Sequence, residues 1–186
     1  MAMGRPRKFS REGVLQKALP VFWKYGFART TLPDLEQATG VNKSGLYAEF
    51  ENKEALFLAC LRHYLDTANG VGLLMVEPLG WRNIERFLEE APSCALDQRG
   101  CFFVNSMREL DGLPAAAREV IADGNAKLKQ LLRTNVAVEN PKIDVKSVCE
   151  LISVFFSGIC IEANLNPDRK RARRKIRDFM KMVRAA

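Results

Sequence analysis

TLPDLEQATGVNKSGLYAEF, residues 31–50, reads as two short helices joined by a glycine-containing turn. Thr31 is placed to cap the first, since a threonine oxygen accepts an unpaired amide. Pro33 and Asp34 fit the turn that follows, where proline's missing N–H costs nothing. Leu32, Leu35 and Ala38 recur at a spacing of three and make one apolar stripe, and Gly40 sits where the chain needs a residue tolerant of positive φ. Asn42 is a second N-cap. It opens a helix with Lys43, Ser44 and Gly45 in its first turn and Leu46, Tyr47 and Phe50 on neighbouring turns. Two capped helices about such a turn describe a helix-turn-helix.

The wording around that pattern is more specific than the pattern. Tyr25-Gly26-Phe27, Thr30-Thr31-Leu32, Gly40-Val41, Lys43-Ser44-Gly45-Leu46-Tyr47, Phe50 and Lys53-Glu54 follow one another in an order and spacing that closely resembles the DNA-binding domain of the tetracycline-repressor (TetR) family. The resemblance runs from about Phe9 to Leu61 and thins beyond. It implies an all-α protein of about nine helices that acts on double-stranded DNA as a homodimer, with no enzymatic activity and no cofactor. It also implies a division into an arm and helix-turn-helix domain, residues 1–53, and a regulatory and dimerisation domain, residues 54–186. Thr31, Tyr47 and Lys53 are then expected mainly at phosphates, and Asn42, Lys43 and Ser44 near base edges or the adjoining backbone. Gly45 is expected to leave room for close approach to the groove.

Outward from this stretch, Ser10 can cap a preceding helix on which Val14/Leu15, Ala18/Leu19 and Phe22/Trp23 step by four. Pro20 lies inside it, where an interior proline deletes a backbone bond, so a kink is expected there. Before it, Gly4-Arg5-Pro6-Arg7-Lys8 has too few apolar residues to fold alone. It reads either as a solvated tail or as an arm placing Arg5 and Arg7 in a minor groove, where narrow A·T tracts attract arginine. Asn52 caps a helix with Lys53 in its first turn, a natural phosphate seat. In the family this helix joins the DNA-binding part to the regulatory part.

From 69 to 80 the pattern loosens at Gly70, Gly72, Pro78 and Gly80. Helices are then expected over 81–90, 101–110, 114–138, 144–164 and 168–184, with 91–100 as a loop. The helix over 144–164 is apolar nearly all round, which implies a partner. By resemblance the last two helices pair with their copies in a four-helix bundle, with Val148, Ile152, Phe156 and Ile159 of one and Ile176, Met180 and Val183 of the other at the interface. Tyr64, Phe87, Phe103, Asn105, Met107, Leu128 and Phe155 are candidates for a small-molecule effector pocket, although core packing accounts for most of them equally well.

Composition narrows the rest. The 186 residues carry 29 Lys+Arg against 22 Asp+Glu, a net charge of +7. The charge is uneven: +3 over 1–66, −3 over 67–167 and +7 over 168–186. Basic ends about an acidic middle suit a nucleic-acid binder whose centre does something else. The cations at the start of the last helix, from Arg169 to Arg177, read as a solvated face or as an extra contact to an anion. No GxSxG motif or Walker loop is present, and one histidine leaves few acid–base options.

The longest nearly uninterrupted apolar run, 151–161, is short of the roughly twenty residues that cross a bilayer. The first residues lack an apolar segment after their charges, so no export signal is read and a cytoplasmic location without membrane contact is expected. The cysteines Cys60, Cys94, Cys101, Cys149 and Cys160 include no CxxC pair, which argues against a disulfide framework or a zinc ribbon. Packing, thiol-based redox or electrophile sensing, and a metal-responsive role all remain open for them, with Cys94 and Cys101 the more reactive pair. No metal site is assigned.

Overall fold

Four N-caps predicted from the sequence close as hydrogen bonds in the computed structural model, which describes residues 9–90, 100–165 and 167–185. Ser10 Oγ accepts from Gly13 N at 3.0 Å and opens α1 (Arg11–Arg29). Thr31 opens α2 (Leu32–Thr39) with a reciprocal box in which Asp34 answers the Thr31 amide at 2.8 Å. Asn42 Oδ1 accepts from Gly45 N at 2.9 Å to open α3 (Lys43–Phe50). Asn52 Oδ1 accepts from Ala55 N at 2.8 Å to open α4 (Lys53–Thr67). Gly40 takes the left-handed conformation that ends α2.

Six further helices follow: α5 (Asn69–Leu73), α6 (Trp81–Glu90), α7 (Phe102–Met107), α8 (Ala115–Ala137), α9 (Val145–Leu165) and α10 (Arg169–Ala185). The described residues contain no strand, so the all-α expectation holds. The count exceeds nine because 69–80 is not loop throughout; five of its residues turn as α5 despite Gly70 and Gly72. The helix expected over 101–110 is shorter than its apolar pattern suggested. After Met107 the chain tightens into i→i+3 bonds, Arg108 N to Asn105 O and Glu109 N to Ser106 O, and passes through a 3-10 turn at Leu110–Gly112.

The irregularity of α1 also lies elsewhere than expected. Its backbone keeps helical values through Pro20 and leaves them at Gly26, φ 77° and ψ 173°. Pro20 is only half-buried, on a side where its missing bond is tolerable, whereas glycine alone adopts the Gly26 conformation without strain.

Helix α4 packs on α1 and α3 and also on α7 and α8, and α1 packs on α7 as well. At this junction the rings of Phe22, Phe57 and Phe102, each almost fully buried, meet edge to face with Trp23 and Tyr64. Each such ring contributes about 1.5–3 kcal/mol by burial. Helices α1–α3 and the rest of the described chain therefore share one continuous core. Farther along, the fully buried Asn135 of α8 ties α6 down. Its Oδ1 accepts from Gly80 N at 2.9 Å and Asn83 Nδ2 at 3.1 Å, and its Nδ2 donates to Leu74 O and Leu131 O.

Helix α9 packs against α7, α8 and α10. By length and composition it is apolar enough to cross a membrane, with a mean hydropathy of 1.6 in its most apolar window, beyond what the run at 151–161 suggested. Its inner face is used otherwise: Val148, Cys149, Ile152, Phe156, Ile159, Cys160 and Ala163 are buried in the fold.

Candidate nucleic-acid interface and internal cavity

The first turn of α3 projects from the surface. Asn42, Lys43 and Ser44 are exposed, while Leu46 and Phe50 hold the far side of the same helix in the core. Two contacts fix this tip on its neighbours. The Lys43 amide donates to the Glu36 carboxylate of α2, and Arg11 of α1 reaches Glu49 Oε1 at 3.3 Å while lying over the Phe50 ring. Nothing local in the sequence signals either contact, because the partners stand seven and thirty-eight residues apart. The Lys43 side chain itself stays on the surface, its ammonium 5.9 Å from the centre of the half-buried Tyr47 ring.

Three residues expected at DNA also make contacts within the chain. Gly45 faces inward: a Cβ there would lie 2.7 Å from Val41 Cγ1, so the glycine serves packing of the turn. Thr31 is exposed, but its hydroxyl is bonded to Asp34, whose carboxyl is held below its usual range first by that hydroxyl and then by the Thr31 amide. Lys53 is half-buried, with its ammonium donating at 3.0 Å to both Phe27 O and Thr30 O and lying over the Phe27 ring. It satisfies carbonyls left over at the end of α1, so two of its three protons are already committed. Arg5 and Arg7 lie outside the described residues.

Behind the reading head a cavity of about 280 Å³ opens between α4, α5, α6, α8 and α9. Four of the expected pocket residues, Tyr64, Phe87, Phe103 and Leu128, line it. Trp23, Cys101 and Phe156 join them; Phe156, expected at a dimer face, points here instead. Asn105 belongs to a separate cleft of about 920 Å³ beside the end of α1, where its Oδ1 accepts from Asn164 Nδ2 at 2.8 Å. Met107 packs against the core and lines neither space. Phe155 stacks flat on Phe179 of α10, centroids 3.9 Å apart, away from the cavity.

One acid links this region to the reading head. Glu109, just past α7, accepts from Ala28 N at 3.1 Å and fills the space that a side chain at Gly26 would need. On the cavity wall, the hydroxyl of Tyr64 and the sulfur of Cys101 share a hydrogen bond of 3.2 Å. The Cys101 thiol is drawn below its usual range, chiefly by a hydrogen bond from the Cys160 thiol, against burial, with help from Tyr64 and the Val104 and Phe103 amides. Burial pushes Tyr64, Cys60 and Cys149 the other way. Cys94 lies outside the described residues, and among the described ones no three of His, Cys, Asp and Glu gather as a metal ion would need.

Residues 14–60, which hold α2, α3 and most of α1 and α4, match the family model described as bacterial regulatory proteins, tetR family. The chain is 30% identical over 175 residues to the HTH-type transcriptional repressor ComR of Escherichia coli K12, spanning 86% of this chain and 82% of that one. The chain belongs to the TetR family. A second Escherichia coli K12 relative, the HTH-type transcriptional repressor BdcR, is 25% identical over 171 residues, again 86% and 82% of the two chains. Among solved structures, a cysteine mutant of the TetR family transcriptional regulator CifR, complexed with 26bp double-strand operator DNA, superposes with a TM-score of 0.84 at 25% identity. The match covers 95% of this chain and 98% of that one. As a TetR-family member the chain is a DNA-binding transcriptional regulator.

Within this TetR fold, the expected dimer residues Val148, Ile152, Phe156, Ile159, Ile176, Met180 and Val183 are all buried inside one chain, between 0% and 6% exposed. They pack α9 and α10 against their own fold and cannot line an interface with a copy. The apolar residues left outside are Leu151, Val154, Ile161 and Leu165 on α9 and Met182 on α10, with Gly158 exposed among them. On α9 the series 151, 154, 158, 161, 165 steps alternately by three and four, a continuous seam of the kind that packs helix on helix.

Proposed function

We propose that the chain is a homodimeric repressor of the TetR family, released from a palindromic operator when a small apolar molecule enters the 280 Å³ cavity. The observation that carries the reading is the exposed first turn of α3, with Asn42, Lys43 and Ser44 presented on a capped helix whose other side is locked into the core. A major groove accepts the amino-terminal turns of such a helix. Lys43 supplies the mobile positive charge at that tip, and Tyr47 lies close enough to join it at the backbone. Thr31 reaches a phosphate by turning its hydroxyl proton from Asp34 to the phosphate oxygen, and Lys53 steadies the end of α1 beside it. Arg5 and Arg7 are proposed as an arm for the minor groove, by their sequence alone. The relatives named as repressors support repression as the direction of control.

The α9 seam supports the dimer, since two copies joined along it place two reading heads about a two-fold axis. Residues 1–53 then form the DNA-binding unit and 54–186 the regulatory and dimerising unit, in a protein that works in the cytoplasm with no membrane contact. Because α4 packs on α1 and α3 as well as on α7 and α8, an effector that favours one position of α4 shifts the spacing of the heads and so the affinity for DNA.

The test is Lys43→Ala measured against promoter DNA. The variant stays folded and dimeric, with affinity reduced by about 1–3 kcal/mol per reading head. Wild-type binding falls steeply with salt. Undiminished affinity in the variant removes α3 from the interface.

A further inference from the structure

The cavity wall holds the Cys101 thiol and the Tyr64 phenol, with the Cys160 thiol fully buried outside the lining, and the reading above uses none of this chemistry. Gly100, at φ 68°, lets the chain press on α9 so closely that a Cβ there would lie 2.5 Å from Cys160 O. That approach seats Cys101 against Cys160 and, from the other side, against the Tyr64 hydroxyl. Cys160 is fully buried and Cys101 nearly so, but Cys101 borders the cavity with Trp23, Phe87, Phe103 and Phe156 around it. Apart from Glu90 the residues lining this cavity are uncharged and mostly apolar, so a nucleophile facing it selects an organic molecule more than a hydrated oxidant.

We infer that Cys101 captures, by covalent addition inside this cavity, an apolar small molecule bearing a soft electrophilic carbon, such as an enone. The inference rests on the cavity being the effector site. In the step, the Cys101 thiol gives its proton to water and its sulfur attacks the β-carbon. An S–C bond forms, the C=C π bond breaks, and its electron pair passes to the α-carbon, which takes a proton from water. The net change adds S–H across C=C and consumes no oxidant or reductant. Tyr64, kept protonated by burial, is placed to donate to the carbonyl oxygen while that oxygen carries the charge. Cys160 is a positioning residue, donating to the Cys101 sulfur so that the thiolate is available near neutral pH. The product enlarges what the cavity must hold at the head of α7, whose far end leads to Glu109 and its bond to Ala28 of α1.

The experiment uses N-ethylmaleimide as the probe on the full chain carrying Cys94→Ser, so that the four cysteines placed by the structure compete. Peptide mapping after limited reaction finds the first adduct on Cys101, formed about tenfold or more faster than on Cys60, Cys149 or Cys160. Half-maximal alkylation of Cys101 falls below the ordinary thiol value of about 8.5, and Cys160→Ala moves it upward. An accessible thiol with no special partner would show no such movement. Operator DNA is released as the Cys101 adduct accumulates, whereas Cys101→Ser, whose DNA binding without probe is measured first, is not released. A first adduct elsewhere, or release that persists in Cys101→Ser, overturns the inference. A Cys101 adduct that leaves the DNA complex intact overturns instead the reading of the cavity as the effector site.

Discussion

Val154→Asp separates a dimer seam from a monomer surface. Val154 is 72% exposed on α9, between Leu151 at 54% and Ile161 at 39%, with Leu165 at 83% one turn beyond. Full burial of such a side chain contributes about 1.5–3 kcal/mol, so covering the free part of Val154 contributes about 1–2 kcal/mol. Two-fold symmetry uses the residue twice, giving about 2–4 kcal/mol and a dimer dissociation constant weakened about 30- to 1,000-fold. Two carboxylates stripped of water at the seam add to that loss. Sedimentation velocity over a concentration series reads the dissociation constant, and circular dichroism checks that the monomer keeps its helices. Operator affinity falls with it, since unlinked heads lose the effective concentration that a dimer provides. The contrast is Ile152→Ala, two residues away and fully buried, which destabilises the fold by about 2–5 kcal/mol. If Val154→Asp dimerises at the wild-type concentration, the exposed stripe is not the seam and the reasoning from burial fails.

Other substitutions test single placements. Gly45→Ala forces a Cβ to 2.7 Å from Val41 Cγ1 and lowers thermal stability by about 1–3 kcal/mol; unchanged melting with lost DNA binding would return Gly45 to the groove. Lys53→Met removes the charged donor from the Phe27 and Thr30 carbonyls and costs about 1.5–3 kcal/mol in denaturant titration, while the salt dependence of operator binding keeps its slope. A shallower slope would show Lys53 at a phosphate. Asn135→Ala leaves Gly80 N and Leu74 O without their shared partner, while Asn83 keeps Val76 O and Pro78 O, and lowers the free energy of unfolding by about 1–3 kcal/mol for each group left buried and unsatisfied; a neutral result would mean that water replaces it.

What the sequence could show followed from range. Ser10, Thr31, Asn42 and Asn52 were readable as caps because each bonds an amide within three residues, and the helix-turn-helix is built from such local rules. The facing of α9 was not readable. With apolar residues on nearly every side, periodicity supplies no direction, so Ile152 and Val154 look equivalent until tertiary packing buries one and leaves the other out. Lys53 and Gly45 carry two readings for a related reason: a lysine at a helix start and a glycine at the tip of α3 suit DNA equally well as the carbonyls of α1 and the side chain of Val41. Of the pocket, Tyr64, Phe87, Phe103 and Leu128 were readable only as apolar members of the middle helices, for which core packing was an equal account. Phe155 and Phe156 are neighbours in sequence, and only the packing of α10 decides that the first stacks outside while the second lines the cavity.

The most direct measurement is a cleavage-protection footprint of the purified protein on the promoter DNA nearest its own gene, read base by base on both strands. Two related protected half-sites, centred about one helical turn apart or somewhat more and lost together in Lys43→Ala, are the predicted result. A single unrepeated patch, or protection that Lys43→Ala leaves intact, would contradict the claim that paired α3 tips read successive grooves.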